Sequence, residues 1–244
     1  MTSSLATSSF AAASVAGTSV AGTSVAGTSV AGTSVAGIRE QEFVSDLNFT
    51  GPVAPDLYSR IRWAITPFPG GMASEVFREP GDPTILQLRK AANQKERAWG
   101  NTMIGQTSNG NWTTTLGEHL VRDTLIALGE NPRRPETRGR YSPDWETDDY
   151  IYEVKTRNWT TPGTAGEKVL GVMYKYSDIP ELYGKPLRIV CVAYQEYELT
   201  YGPTKIFGDD ISSRKKAYLD LARSQGIEYI KFSALHPCLM NHFS

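Results

Sequence analysis

The sequence predicts an α/β fold in which a central mixed β-sheet is flanked by helices. Three observations carry this. Residues 150–155 (YIYEVK) alternate between two faces, residues 187–194 (LRIVCVAY) form an apolar run of strand length, and residues 227–232 (IEYIKF) form a further short strand. Helical periods separate these runs. Strands and helices in alternation favour a layered sheet with at least partly parallel strands.

The chain begins with a segment of different character. From Ser14 to Gly37 the pentapeptide SVAGT repeats almost without change, and no charged residue precedes Arg39. A five-residue period matches neither helix nor strand, and the repeat has too little apolar bulk to build a core. Ser, Thr and Gly interrupt the continuous apolar stretch that a signal peptide needs. Residues 1–37 therefore read as a disordered tail. Residues 38–244 read as a single domain. Its first part, 38–82, is punctuated by Pro52, Pro55, Pro67, Pro69 and Pro80 and reads as an ordered extension. The core is expected at about 113–232.

Residues 83–99 predict a helix with a basic, solvated face carrying Arg89, Lys90, Lys95 and Arg97. Residues 113–128 predict an amphipathic helix opened by threonine caps and stopped by Gly129. Leu116, Leu120, Val121, Thr124, Leu125, Ala127 and Leu128 share its apolar face. Glu118 borders that face, while His119, Arg122 and Asp123 project outward.

The strand at 150–155 places Tyr150, Tyr152 and Val154 on one face and Ile151, Glu153 and Lys155 on the other. A helix would set Glu153 and Lys155 about 200° apart. Residues 165–178 predict a helix weakened by Gly171, and Pro180, Gly184 and Pro186 a turn. The run at 187–194 predicts a central strand buried on both faces. Residues 211–225 predict a helix capped by Asp209 or Asp210 and stopped by Gly226, leading into the strand at 227–232.

Composition narrows the function classes. The 25 basic and 26 acidic residues give a net charge of −1, which argues against indiscriminate coating of nucleic acid. No apolar run reaches the roughly 20 residues needed to cross a membrane. Two cysteines make no disulfide framework, and the reading is an intracellular, cytoplasmic protein. His236, Cys238 and His242 fall short of the four ligands of a structural zinc site.

Residues 141–155 (YSPDWETDDYIYEVK) carry the chemistry. Asp144 follows a proline, and Glu153 arrives nine residues later, two before Lys155. Asp144 and Glu153 are hard oxygen donors suited to Mg²⁺. Lys155 is a point charge able to orient an attacking water and stabilise charge developing on phosphate. Glu118 could add a further metal ligand. The loop at 131–141 brings Arg133, Arg134, Arg138 and Arg140 as phosphate clamps. Beyond the strand, Arg157, Asn158 and Trp159 offer base contact or stacking, with Lys168 in the segment that follows.

This order of features resembles the PD-(D/E)XK nuclease superfamily, with Glu118 on a helix, then Pro143-Asp144, Glu153-x-Lys155, a helix and an apolar strand. Within it the chain is most similar to type II restriction endonucleases of the bacterial or large-DNA-virus kind. The resemblance covers roughly residues 116–195. It implies a restriction-endonuclease-like core, Mg²⁺ dependence and double-stranded DNA as substrate, cut to 5′-phosphate and 3′-hydroxyl ends. It makes Asp144 and Glu153 metal ligands, Lys155 the catalytic lysine and Glu118 a helix-borne acid. Gln195 falls where some members place a glutamine near the site. A palindromic target would call for a homodimer.

A resolvase or repair nickase could carry the same residues. From another class, the chain could be a non-catalytic DNA-binding or interaction protein that works through its SVAGT tail. Removing residues 1–37 separates these readings: cleavage of plasmid DNA should survive the deletion, and its loss would favour the tail.

Overall fold

The structure is a computed structural model, and residues 47–66, 85–105, 111–160 and 165–236 are described. The expected tail lies outside these residues, as do 38–46 and 67–82 of the extension and Cys238 and His242. Among the described residues three helices come first: α1 (Leu57–Ile65), α2 (Ile85–Ile104) and α3 (Trp112–Ala127). Two strands follow, β1 (Trp145–Glu146) and β2 (Ile151–Arg157), then α4 (Ala165–Leu170), α5 (Val172–Lys175) and α6 (Ile179–Tyr183). Then come β3 (Leu187–Ala193), α7 (Tyr194–Tyr201), α8 (Ser213–Ser224), β4 (Ile227–Lys231) and a 3₁₀ turn, Phe232–Leu235.

The four strands form one mixed sheet in the order β1-β2-β3-β4. β1 pairs antiparallel with β2, while β2, β3 and β4 run parallel. The α/β class with a mixed sheet between helices is thus as expected.

Side-chain alternation divides the interior in two. Tyr152 and Val154 of β2, with Val190 and Val192 of β3, pack against Leu57 and Ile61 of α1 and Leu116 and Leu120 of α3. Ile151 of β2, with Leu187, Ile189 and Cys191 of β3, packs instead against Val169, Val172 and Ile179. Successive residues of a strand face opposite ways, so one apolar run such as β3 can serve both cores.

Where boundaries differ from the sequence reading, local chemistry explains them. α8 starts at Ser213 because the Ser212 side chain accepts from the Lys215 backbone N–H; Asp210 is taken by an ion pair with Lys205. Gly171 breaks the helix expected over 165–178 into α4 and α5. The turn expected around Pro180 is the short helix α6, whose first turn tolerates proline and which Gly184 ends at φ 66°.

Asp123 does not project outward. It is 5% exposed and is held by Arg60 and Arg122, each at 2.7 Å. A buried carboxylate needs such partners, because leaving it unpaired inside the protein is expensive.

α3 approaches β2 closely. A Cβ on Gly117 would lie 1.7 Å from Thr156 Oγ1, so only glycine lets the helix sit at this distance. That contact brings the neighbouring Glu118 toward the sheet.

The end of β2 is fastened by Glu96, which lies on the inward side of α2 and is 1% exposed. Its carboxylate accepts from Trp63 Nε1 at 2.9 Å, Trp159 N at 2.9 Å, Thr160 N at 3.1 Å, Thr160 Oγ1 at 2.5 Å and Asn158 Nδ2 at 3.2 Å. One anion thereby satisfies donors from α1 and from the chain leaving β2. Glu96→Ala should destabilise the protein by about 3–5 kcal/mol in urea unfolding, because these donors would be left buried and unmade. A loss below about 1 kcal/mol would contradict the assigned role.

Candidate active site

β2 is the platform of the site. Glu153 and Lys155 share the face that Ile151 occupies lower in the strand, and Lys155 Nζ lies 2.5 Å from Glu153 Oε1. Glu153 is 4% exposed, and its second oxygen, Oε2, has no hydrogen-bond partner among the described residues. A buried carboxylate oxygen left without a donor is available to a cation.

Asp144 stands immediately before β1, antiparallel to β2. Its backbone N–H donates to Tyr152 O at 3.1 Å and its Oδ2 accepts from Val154 N at 2.7 Å. Two main-chain contacts therefore aim the carboxylate at the part of β2 that carries Glu153 and Lys155. Burial, then the Glu153 carboxylate, pushes the Asp144 pKa up from 3.8 to about 7, and Glu118 adds to the rise. The Val154 N–H and Lys155 pull the other way.

Glu118 stands at the rim. Its Oε2 meets Arg134 Nη2 at 2.6 Å, and its carbonyl accepts from Trp145 Nε1 at 2.9 Å. It does not complete a three-carboxylate cage: among the described residues no three His, Cys, Asp or Glu side chains are grouped to hold a metal ion. Mg²⁺ makes no such demand, since it keeps several waters and is commonly bound through one or two carboxylates plus substrate phosphate. The hard donors Asp144 and Glu153, with the orphaned Glu153 oxygen, fit that ion.

The loop arginines take different positions. Arg134 reaches the site, donating to the Asp144 carbonyl at 2.9 Å and lying 4.1 Å from the centre of the Trp145 ring. Arg133 pairs with Glu146 at 2.9 Å and Asp148 at 3.3 Å. Arg138 donates to Leu182 O and covers the Tyr183 ring. Arg140 donates to the Tyr141 hydroxyl at 3.0 Å.

The residues after β2 fall elsewhere than expected. Asn158 and Trp159 are 7% and 3% exposed, and Glu96 and the Trp63 carbonyl accept their hydrogen bonds. They are interior residues in this structure, and neither is placed to read a base. Arg157 is also buried and pairs with Glu198 at 2.7 Å. The reason is a contact distant in sequence: the chain leaves the sheet beside Glu96 of α2, which satisfies its backbone donors. Lys168 is exposed on α4. Gln195 is buried in the first turn of α7, just past Ala193, whose φ of 57° turns the chain from strand directly into helix.

Tyr176 is the neighbour that sequence reasoning missed. Burial and then the Glu153 carboxylate raise its pKa well above the ordinary 10. Its spacing of four from Val172 was the available signal for an inward-facing position. Glu196, also missed, is a buried carboxyl raised to about 7 by burial, but it serves the fold by accepting from Ser233 N at 3.1 Å.

The Asp144 pKa has a consequence for stability. Between about pH 4 and 7 the folded protein keeps this proton while the unfolded chain gives it up, so stability is lost as pH rises through that window. Asp144→Asn should therefore raise the melting temperature at pH 8 by about 5 °C and leave it nearly unchanged at pH 4. Equal shifts at both pH values in calorimetry would contradict the assigned environment.

The chain matches no family model, no curated protein and no solved structure.

Proposed function

We propose that this protein is a Mg²⁺-dependent, sequence-specific double-stranded DNA endonuclease of the restriction-enzyme type. What carries the reading is the convergence of Asp144, Glu153 and Lys155. A carboxylate before one strand meets a carboxylate and an amine two residues apart on its neighbour, and one carboxylate oxygen is buried without a geometrically formed hydrogen bond among the described residues.

Asp144 and Glu153 are the residues that would hold Mg²⁺, which supplies Lewis acidity toward the scissile phosphate and a more acidic water. Lys155 offers N–H donors to the attacking water and to charge developing on the phosphate. Hydrolysis adds water across the P–O3′ bond, leaving a 5′-phosphate and a 3′-hydroxyl. Buried acids of this kind disfavour binding of a polyanion until a cation neutralises them, so metal and DNA should bind together. A palindromic target would place two copies of the chain across the DNA dyad.

One observation favours a second reading, a nuclease that recognises DNA structure, such as a resolvase or nickase. Arg157, Asn158 and Trp159, the residues expected to contact or stack on bases, are interior. Recognition would then rest on shape and phosphates.

Incubation with unmethylated plasmid and Mg²⁺ should give discrete bands that EDTA abolishes. Lys155→Ala, folded by circular dichroism, should cut about a hundredfold more slowly or worse. Wild-type cutting by that variant would sink the assignment. Nicked circles or a smear would move it to the second reading.

A further inference from the structure

The basic loop contributes one residue that touches the candidate site's acids, and it touches them in two places. Arg134 Nη2 lies 2.6 Å from Glu118 Oε2, and Nη1 donates to the Asp144 carbonyl at 2.9 Å while standing 3.9 Å from Asp144 Oδ1. The guanidinium lies 4.1 Å from the centre of the Trp145 ring, and Trp145 is itself anchored to the Glu118 carbonyl at 2.9 Å. Arg133, Arg138 and Arg140 have their polar partners elsewhere.

We infer that Arg134 is the resident counter-cation of this site in the free protein, and that on substrate binding it transfers from the carboxylates to a DNA phosphate. The inference rests on the nuclease reading above. Asp144 and Glu153 bring two carboxylates to neighbouring strands, with Glu118 at the rim, and each of the three has a cationic side chain within ion-pair distance. Lys155 answers Glu153 and Arg134 answers the other two. A divalent cation arriving at Asp144 meets the Arg134 charge there and must overcome its repulsion.

Mobility and chemistry favour release. The Arg134 side chain is 54% exposed, and an ion pair reached by water on the arginine side is held weakly. A guanidinium matches a phosphate with two parallel donors, as it matches a carboxylate. Trp145 offers a flat surface on which it can pivot without losing the ring contact. Arg134 therefore excludes metal from the empty site weakly and binds the phosphate when metal and DNA arrive together.

The test uses the full chain and metal alone, followed by DNA in Ca²⁺, which supports binding without turnover. Isothermal titration with Mg²⁺ should show Arg134→Ala binding about fivefold tighter than wild type, because a competing charge is gone. Arg134→Lys, which keeps the charge, should bind Mg²⁺ like wild type. Fluorescence anisotropy in Ca²⁺ should show both variants binding duplex DNA more weakly, since neither presents the planar fork. Mg²⁺ affinity that is unchanged or weaker in Arg134→Ala overturns the inference. If Asp144→Ala abolishes Mg²⁺ binding in that same series, the nuclease reading survives the failure. Absence of Mg²⁺ binding in wild type and Arg134→Ala alike overturns both.

Discussion

Every side chain of β2 must satisfy one of two opposite faces, and both the core and the candidate site depend on how it does so. Tyr152 and Val154 close the interior against α1 and α3, while Ile151 enters the second core. Glu153 and Lys155 continue that second face beyond Ile151, where the apolar contacts give way to charge. A slip of one residue in register would exchange the faces, burying Lys155 with α3 and turning Val154 toward Asp144. Parallel pairing to β3, from Ile151↔Leu187 to Arg157↔Ala193, fixes that register over the whole strand.

Around this strand, polar anchoring and charge divide the work. Glu96 gathers main-chain and side-chain donors at the far end of β2 and so determines where the strand stops. Near the middle, the Asp144 carboxylate is aimed by the Val154 N–H but not neutralised by it. The first arrangement is saturated with donors and belongs to stability. The second is left short of positive charge, which is characteristic of sites that take up a cation or a proton in use.

Elements governed by a simple period were legible in the sequence. β2 and β3 were read from alternation and apolar length, and α3 from its Leu116, Leu120 and Leu125 stripe. The Asp144, Glu153 and Lys155 grouping was legible too, because spacing along a strand translates directly into a shared face. What escaped was set by contacts between segments distant in sequence. Glu96 sits in a helix whose local pattern reads only as basic. Asn158 and Trp159 look like an exposed polar loop until α2 is laid over them. Asp123 is helical surface by projection, and becomes interior only because Arg60, from another helix, packs over it. Gln195 lies just past its strand as expected, yet its burial follows from the sharp turn at Ala193 that no residue pattern announces.

The missing side chain at Gly117 links the packing of the core to the placement of the candidate site. With Thr156 Oγ1 where a Cβ would need to be, the glycine is the spacer that sets how near α3 stands to the sheet, and hence where Glu118 and the Trp145 anchor fall. A protein under selection for heat resistance could add bulk on the exposed flank of α8 with little consequence. At position 117 the same change would pry the layers apart and shift the candidate site in one step. Sequence drift is therefore expected to be narrow at a residue that carries no functional group at all.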